Sequence, residues 1–186
     1  MKREDSGLNS KKSKSSFTGA KLFQKLRSDL THKLSNVKLL LVNAEGFSLN
    51  GSDHKGNSTG NGNAIEELRD SEVECVAFSE SSSEEISSVA ESLGVMLHQG
   101  IAQKSAFYNK IKKEYSVSDN EIAFICRDDS DLPIIQRVSF SAVTGDADLD
   151  VKKESYYAAY GNGQRALTEI ARLIVKAKNY PSGWSE

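Results

Sequence analysis

Residues 37–43, VKLLLVN, climb through an apolar run and stop at the polar stretch Asn43-Ala44-Glu45-Gly46. A strand apolar along its whole length is buried on both faces, which is the signature of a parallel sheet covered by helices. Such a strand hands a polar loop to the carboxyl edge of the sheet, where ligands of open α/β folds bind.

Alternation follows. Further strands are expected at Glu74–Ser79, Val95–Leu97, Glu121–Cys126, Val138–Val143 and Tyr156–Tyr160. Between them come helices over 64–71, 81–93, 102–115, 131–137 (with Pro133 in its first turn) and 163–178. Residues 81–93 open on Ser caps and acids, a good helix start. Strands alternating with helices predict an α/β domain with right-handed crossovers. The positions just after each strand then form one rim: Asn43 to Gly46, Ser79 to Ser81, the stretch around Lys104, and Arg127 to Asp131.

The flanks differ in composition. Residues 1–17 are rich in Ser, Lys and Asn and read as a disordered basic tail. Residues 18–35 carry Leu22, Phe23, Leu26, Leu30 and Leu34 on one helical face, an amphipathic helix docking on the domain at 18–179. Residues 51–63, GSDHKGNSTGNGN, read as a loop without an apolar anchor, and 180–186 as a tail. Residues 1–36 hold nine Lys or Arg against three acids, yet the chain's net charge is -2. That net charge argues neither for nor against nucleic acid; neither nucleic acid nor a membrane is expected as a partner. No apolar stretch reaches the ~18 residues of a membrane span, the N-terminus lacks a secretory h-region, and a cytoplasmic location is expected. Cys75 and Cys126 lie in strand-like runs and read as buried thiols. With three scattered His they make no metal-ligand spacing. The run Asp146-Ala147-Asp148-Leu149-Asp150 lacks the Gly and bidentate Glu of a calcium loop and reads as a turn and helix cap.

The stretches NVKLLLVNAEG, LHQGIAQKSAF, FICRDDSDLPIIQRV and YGNGQRALTEI resemble, in order and spacing, the haloacid dehalogenase (HAD) superfamily of phosphohydrolases. The similarity is to its small capless group, which includes KDO 8-phosphate phosphatase and the phosphatase-like domains of acylneuraminate cytidylyltransferases. It implies a Rossmann-like three-layer α/β/α sandwich with a mostly parallel sheet.

The resemblance also implies roles, and here the chain departs from the pattern. The first motif, Asp-x-Asp-Gly, supplies a nucleophile that also binds Mg²⁺, then a general acid/base. These places hold Asn43 and Glu45. An amide is a poor nucleophile and a weak Mg²⁺ ligand, and Glu45 carries its carboxylate one methylene further out. Ser79 and Lys104 fall on the phosphate-binding places of the second and third motifs, although Glu80-Ser81 replaces the Gly-Arg often found after Ser79. In the fourth motif the metal-binding Asp falls on Arg127, with Asp128 and Asp131 still acidic. A register slipped by one would make Asp128 the ligand, but the Leu132-Pro133 anchor opposes it. A guanidinium has only donors and cannot ligate a cation. Arg127 is expected to fill the vacant metal place and pair with Asp128, Asp131 or Glu45. The β-hairpin flap of relatives is replaced by residues 50–63, and an Arg usual near the C-terminal glycine turn (Gly161-Asn162-Gly163) falls on Thr168.

Without the family, Asn43 is a strand cap, and Lys104 and Ser79 are ordinary surface residues. With it, three functions compete: a pseudophosphatase acting as a binding, scaffolding or regulatory module near sugar-nucleotide or surface-polysaccharide metabolism; a phosphatase of residual or altered activity; and a non-hydrolytic sensor of a phosphorylated sugar or nucleotide using Ser79, Lys104 and Arg127. No cofactor is expected, or Mg²⁺ if activity persists. The expected partner is an unidentified protein or a phosphorylated small molecule, and a homo-oligomer is compatible with the sequence.

Overall fold

The computed structural model describes residues 28–47 and 59–179. The basic tail, most of the expected N-terminal amphipathic helix, the stretch 48–58 (most of the segment expected to replace the flap) and the C-terminal tail lie outside the described residues. Residues up to His32 cluster as one unit and those from Lys33 as another. Helical backbone, α1, runs over 28–35.

The second unit is built on six parallel strands in the order β3-β2-β1-β4-β5-β6. They are β1 Leu39–Asn43, β2 Glu74–Phe78, β3 Met96–His98, β4 Ile122–Cys126, β5 Phe140–Val143 and β6 Tyr157–Ala158. Every residue of the central pair β1 and β4 is buried, which is why both read as unbroken apolar runs. The order reverses between β1 and β4. That is the switch point where an open α/β sheet leaves a crevice beyond its strand ends.

Helices connect the strands: α2 Thr59–Asp70, α3 Glu84–Leu93, α4 Lys104–Glu114, α5 Leu132–Ile135, α6 Leu149–Glu154 and α7 Gly163–Lys178. Side-chain alternation divides each strand between two cores. Leu39, Leu41, Val76, Phe78, Phe124 and Cys126 pack with Phe107, Tyr108 and Ile111 of α4, Ile134 and Ile135 of α5, and Val151 of α6. Val42 and Ala77 face the other way, onto Val89 and Ala90 of α3 and Leu167 of α7. The three layers expected from the sequence are present.

Several boundaries shift by a few residues from expectation, and two of the shifts have a clear cause. Backbone that read as loop over 59–63 is the first turn of α2. Its Gly and Asn residues are weak helix formers on their own, and a helix continuing into the buried Ala64, Ile65 and Leu68 overrides that preference. β6 shrinks to two residues because the carboxylate of Glu169, on α7, accepts the Tyr160 and Gly161 amides at 3.0 and 3.3 Å and draws the chain out of the sheet. Asp148 is the N-cap residue of α6, as the turn-and-cap reading required. Both cysteines are free and buried, and burial pushes the Cys75 thiol up to about 12. No helix among the described residues is long and apolar enough to cross a membrane.

Candidate active-site pocket

The sheet brings Asn43, Glu45, Ser79, Lys104 and Asp131 together at its carboxyl edge. Asn43 is the last residue of β1, and Glu45 follows in a 3-10 turn, Ala44–Phe47. Ser79 follows β2, its main chain pinned by bonds with His98 (2.9 Å) and Ile101 (3.0 Å). Lys104 opens α4. Asp131 ends a 3-10 turn, Asp129–Asp131, that feeds α5 with Pro133 in its first turn, where the missing N–H is harmless.

Asp131 is the hub. It is fully buried, and so is Asn43, at 1 % exposure. Asn43 Nδ2 donates to Asp131 Oδ2 at 2.8 Å. Lys104 Nζ holds Oδ1 at 2.7 Å. The Glu45 amide donates to Asn43 Oδ1 at 3.0 Å, which fixes the amide with its nitrogen toward the carboxylate. Lys104 also donates to Ser130 Oγ at 2.8 Å and pairs with Glu80 at 3.1 Å. Burial alone would depress the Lys104 ammonium, but Asp131 and Glu80 outweigh it and hold its pKa above the usual lysine value. Burial pushes the Asp131 carboxyl up, against Lys104 and Asn43, which favour its ionised form.

Glu45 forms a second cluster. Its Oε1 accepts from Ser79 Oγ at 2.6 Å, from the Ser81 amide at 3.0 Å and from Ser81 Oγ at 2.9 Å. Burial raises this carboxyl, but the hydrogen bonds from Ser79 and Ser81 prevail and its pKa lies below the ordinary glutamate value. A general acid at neutral pH needs the opposite displacement.

Arg127 does not take the place expected of it. Its guanidinium pairs with Asp146 at 3.4 Å, and its side chain is 39 % exposed. Asp128 is exposed, so the slipped register does not carry a ligand inward either. The turn at 129–131 swings Asp131 back over the sheet edge, while Arg127 leads toward the loop after β5. An Arg127-filled metal place is thus corrected: Asp131 pairs with the Lys104 ammonium and accepts a hydrogen bond from Asn43 instead. Thr168 is spent on its own helix, donating to the Gln164 carbonyl at 2.9 Å. Sequence reasoning assigned no role to Glu80 and no partner role to Asp146, although an acidic cluster following β5 beside β4 is a fair signal for a partner to Arg127.

The donor set fits a divalent cation poorly. Both oxygens of Asp131 and one of Glu45 are committed to internal donors, and among the described residues no three His, Cys, Asp or Glu side chains converge as metal ligands.

No family model matches the chain. Two comparisons are informative. The 3-deoxy-D-manno-octulosonate 8-phosphate (KDO 8-phosphate) phosphatase of Yersinia pestis is 24% identical over 165 residues, covering 83% of this chain and 88% of that protein. Its crystal structure superposes with a TM-score of 0.71, covering 81% and 86% of the two chains at 23% identity. This is a HAD-type fold of the KDO 8-phosphate phosphatase kind. The Moraxella catarrhalis KDO 8-phosphate phosphatase, solved with magnesium, phosphate and KDO, matches at TM-score 0.70 and 21% identity, covering 82% of this chain and 93% of that one. A cobalt-bound enzyme from Haemophilus influenzae matches at 0.67 and 21%, covering 83% and 96%.

Proposed function

We propose that this chain is a catalytically degenerate member of the sugar-phosphate phosphatase group, a pseudophosphatase that serves as a binding, scaffolding or regulatory module. One observation carries the reading: the amide of Asn43 stands where the resemblance puts the nucleophile, and it is tied to Asp131 in a network that Lys104 completes. The lone pair of an amide nitrogen is delocalised into its carbonyl, so the uncharged amide is a poor nucleophile toward phosphorus, and losing the covalent route costs orders of magnitude in rate. The clamped, low-pKa Glu45 supports the same reading, since it is ill suited to protonating a leaving group. The same proposal extends to a role beside sugar-nucleotide or surface-polysaccharide enzymes, with the sugar-phosphate phosphatases named above as its support.

The second reading, a Mg²⁺-dependent phosphatase of altered activity, draws support from those relatives, one solved with magnesium, phosphate and KDO. It is also favoured by the survival of Ser79, Lys104 and Asp131 at one edge. The deciding experiment measures phosphate release from KDO 8-phosphate and a panel of sugar phosphates with Mg²⁺, for the natural chain and for Asn43→Asp with Arg127→Asp. The natural chain is expected to match the blank and the double variant to gain turnover. Mg²⁺-dependent release by the natural chain well above the blank overturns the reading in favour of the second.

A further inference from the structure

Three donors converge on one oxygen of Glu45: the Ser79 hydroxyl, the Ser81 hydroxyl and the Ser81 amide, all within 3.0 Å. Ser79 is fully buried; its hydroxyl also has the Ser81 carbonyl at 2.9 Å and Ser81 Oγ at 3.1 Å, and Glu45 Oε1 at 2.6 Å is its nearest acceptor. A buried hydroxyl and a backbone N–H aimed at one point make a site for an oxyanion. Here the oxyanion belongs to the chain itself. The neighbouring cation is engaged as well, since Lys104 is shared among Asp131, Ser130 and Glu80.

We propose that Glu45 is a built-in plug: its carboxylate occupies an oxyanion site formed by Ser79 and Ser81 and keeps free phosphate or a phosphomonoester out until the side chain swings away. The Ala44–Phe47 turn holding Glu45 is short and lies at the sheet edge, so release of the carboxylate needs side-chain rotation and no change in the strands. The plug belongs to this chain's glutamate. A side chain one methylene shorter, anchored at the same Cα, would fall short of the Ser79 and Ser81 donors. The proposal rests on the pseudophosphatase reading for its biological meaning, because a plugged site serves a module whose pocket opens only when a partner moves Glu45.

The test uses the full chain without divalent cation and inorganic phosphate as the probe, read by calorimetry and by the thermal unfolding midpoint. The natural chain should show little or no binding. Glu45→Ala should bind phosphate about tenfold more tightly or better, a change of the order of one charge-assisted hydrogen-bond set. Glu45→Asp should behave like the alanine variant, and it serves as the second probe should the alanine variant fold poorly. Adding Ser79→Ala to Glu45→Ala should abolish the gain. Equal phosphate binding by the natural chain and Glu45→Ala overturns the plug. So does a folded Glu45→Ala and Glu45→Asp pair with no gain, or a gain that survives Ser79→Ala. Phosphate release from sugar phosphates, run on the same samples, reports separately on the pseudophosphatase reading: turnover by the natural chain defeats that reading.

Discussion

Asn43 donates to Asp131, accepts from the Glu45 amide and sits in a site closed to water. A carboxylate at position 43 would bring two like charges to hydrogen-bond distance in that dry place, and only a shared proton or a cation could reconcile them. Asn43→Asp should therefore lower stability at neutral pH in cation-free buffer by about 1–3 kcal/mol, read by urea unfolding. The sign with pH follows from the like-charge pair: its folded pKa rises above the unfolded value, so the loss should shrink as pH falls and the pair takes up a proton. An unchanged urea midpoint would mean the Asn43–Asp131 bond is dispensable. Lys104→Met asks the complementary question, since it leaves Asp131 buried without its cation. It should cost about 3–5 kcal/mol, and much of that should return in Lys104→Met with Asp131→Asn, where no charge remains to be compensated. These partnerships were only partly legible. Ser79, Lys104, Asn43 and Asp131 follow from strand ends and spacing, but the direction of Arg127 does not. Its rotamer is decided by an Asp146 that lies 19 positions away in sequence and one strand over in space.

Elements show the same division between pattern and context. β1, β4 and α7 were readable because apolar runs and a long amphipathic period leave little choice. The start of α2 was not, because TGNGN has loop composition and becomes helical only as the opening of a helix whose later turns are buried. The approach to β4 shows how polar groups set a boundary. Ser118 and Glu121 form a capping box, with Glu121 accepting the Ser118 amide at 2.9 Å and hydroxyl at 2.8 Å, while Lys38 at the mouth of β1 pairs with the same carboxylate. The Lys38 pairing and the Ser118 bonds lower the Glu121 carboxyl from 4.5 to about 2. A folded pKa below the unfolded one gives stability that is complete above pH 4.5 and disappears as pH falls toward about 2. Over that window the natural chain should lose more of its thermal midpoint than Glu121→Gln does. Parallel midpoint curves for the two proteins would remove Glu121 from the account of how β1 and β4 are joined. Lys38 is 59% exposed at its side chain, so the difference should shrink further in high salt.

At the scale of the whole molecule, side chains stand, on the proposed reading, where the metal-dependent phosphatases of like fold hold a cation. The reversing strand order still opens a crevice between β1 and β4. At this edge the Lys104 ammonium pairs with the buried Asp131 carboxylate, and the Asn43 amide donates to that carboxylate's other oxygen. A protein whose native state binds Mg²⁺ is stabilised by mass action, about 2.7 kcal/mol when the ion is at a hundred times its dissociation constant. For a chain of this length that would move the thermal midpoint by roughly 5–10 °C. The natural chain should show no such dependence: its midpoint in millimolar MgCl2 and in a chelator should agree to within about 1 °C. Asn43→Asp with Arg127→Asp should behave otherwise. It should be the less stable protein in chelator, through unrelieved repulsion between the introduced carboxylate and that of Asp131, and recover when Mg²⁺ is added. A Mg²⁺-dependent midpoint in the natural chain would mean that Lys104 yields Asp131 to the ion. The internal network would then be a resting arrangement of a working metal site, and the phosphatase reading would take precedence.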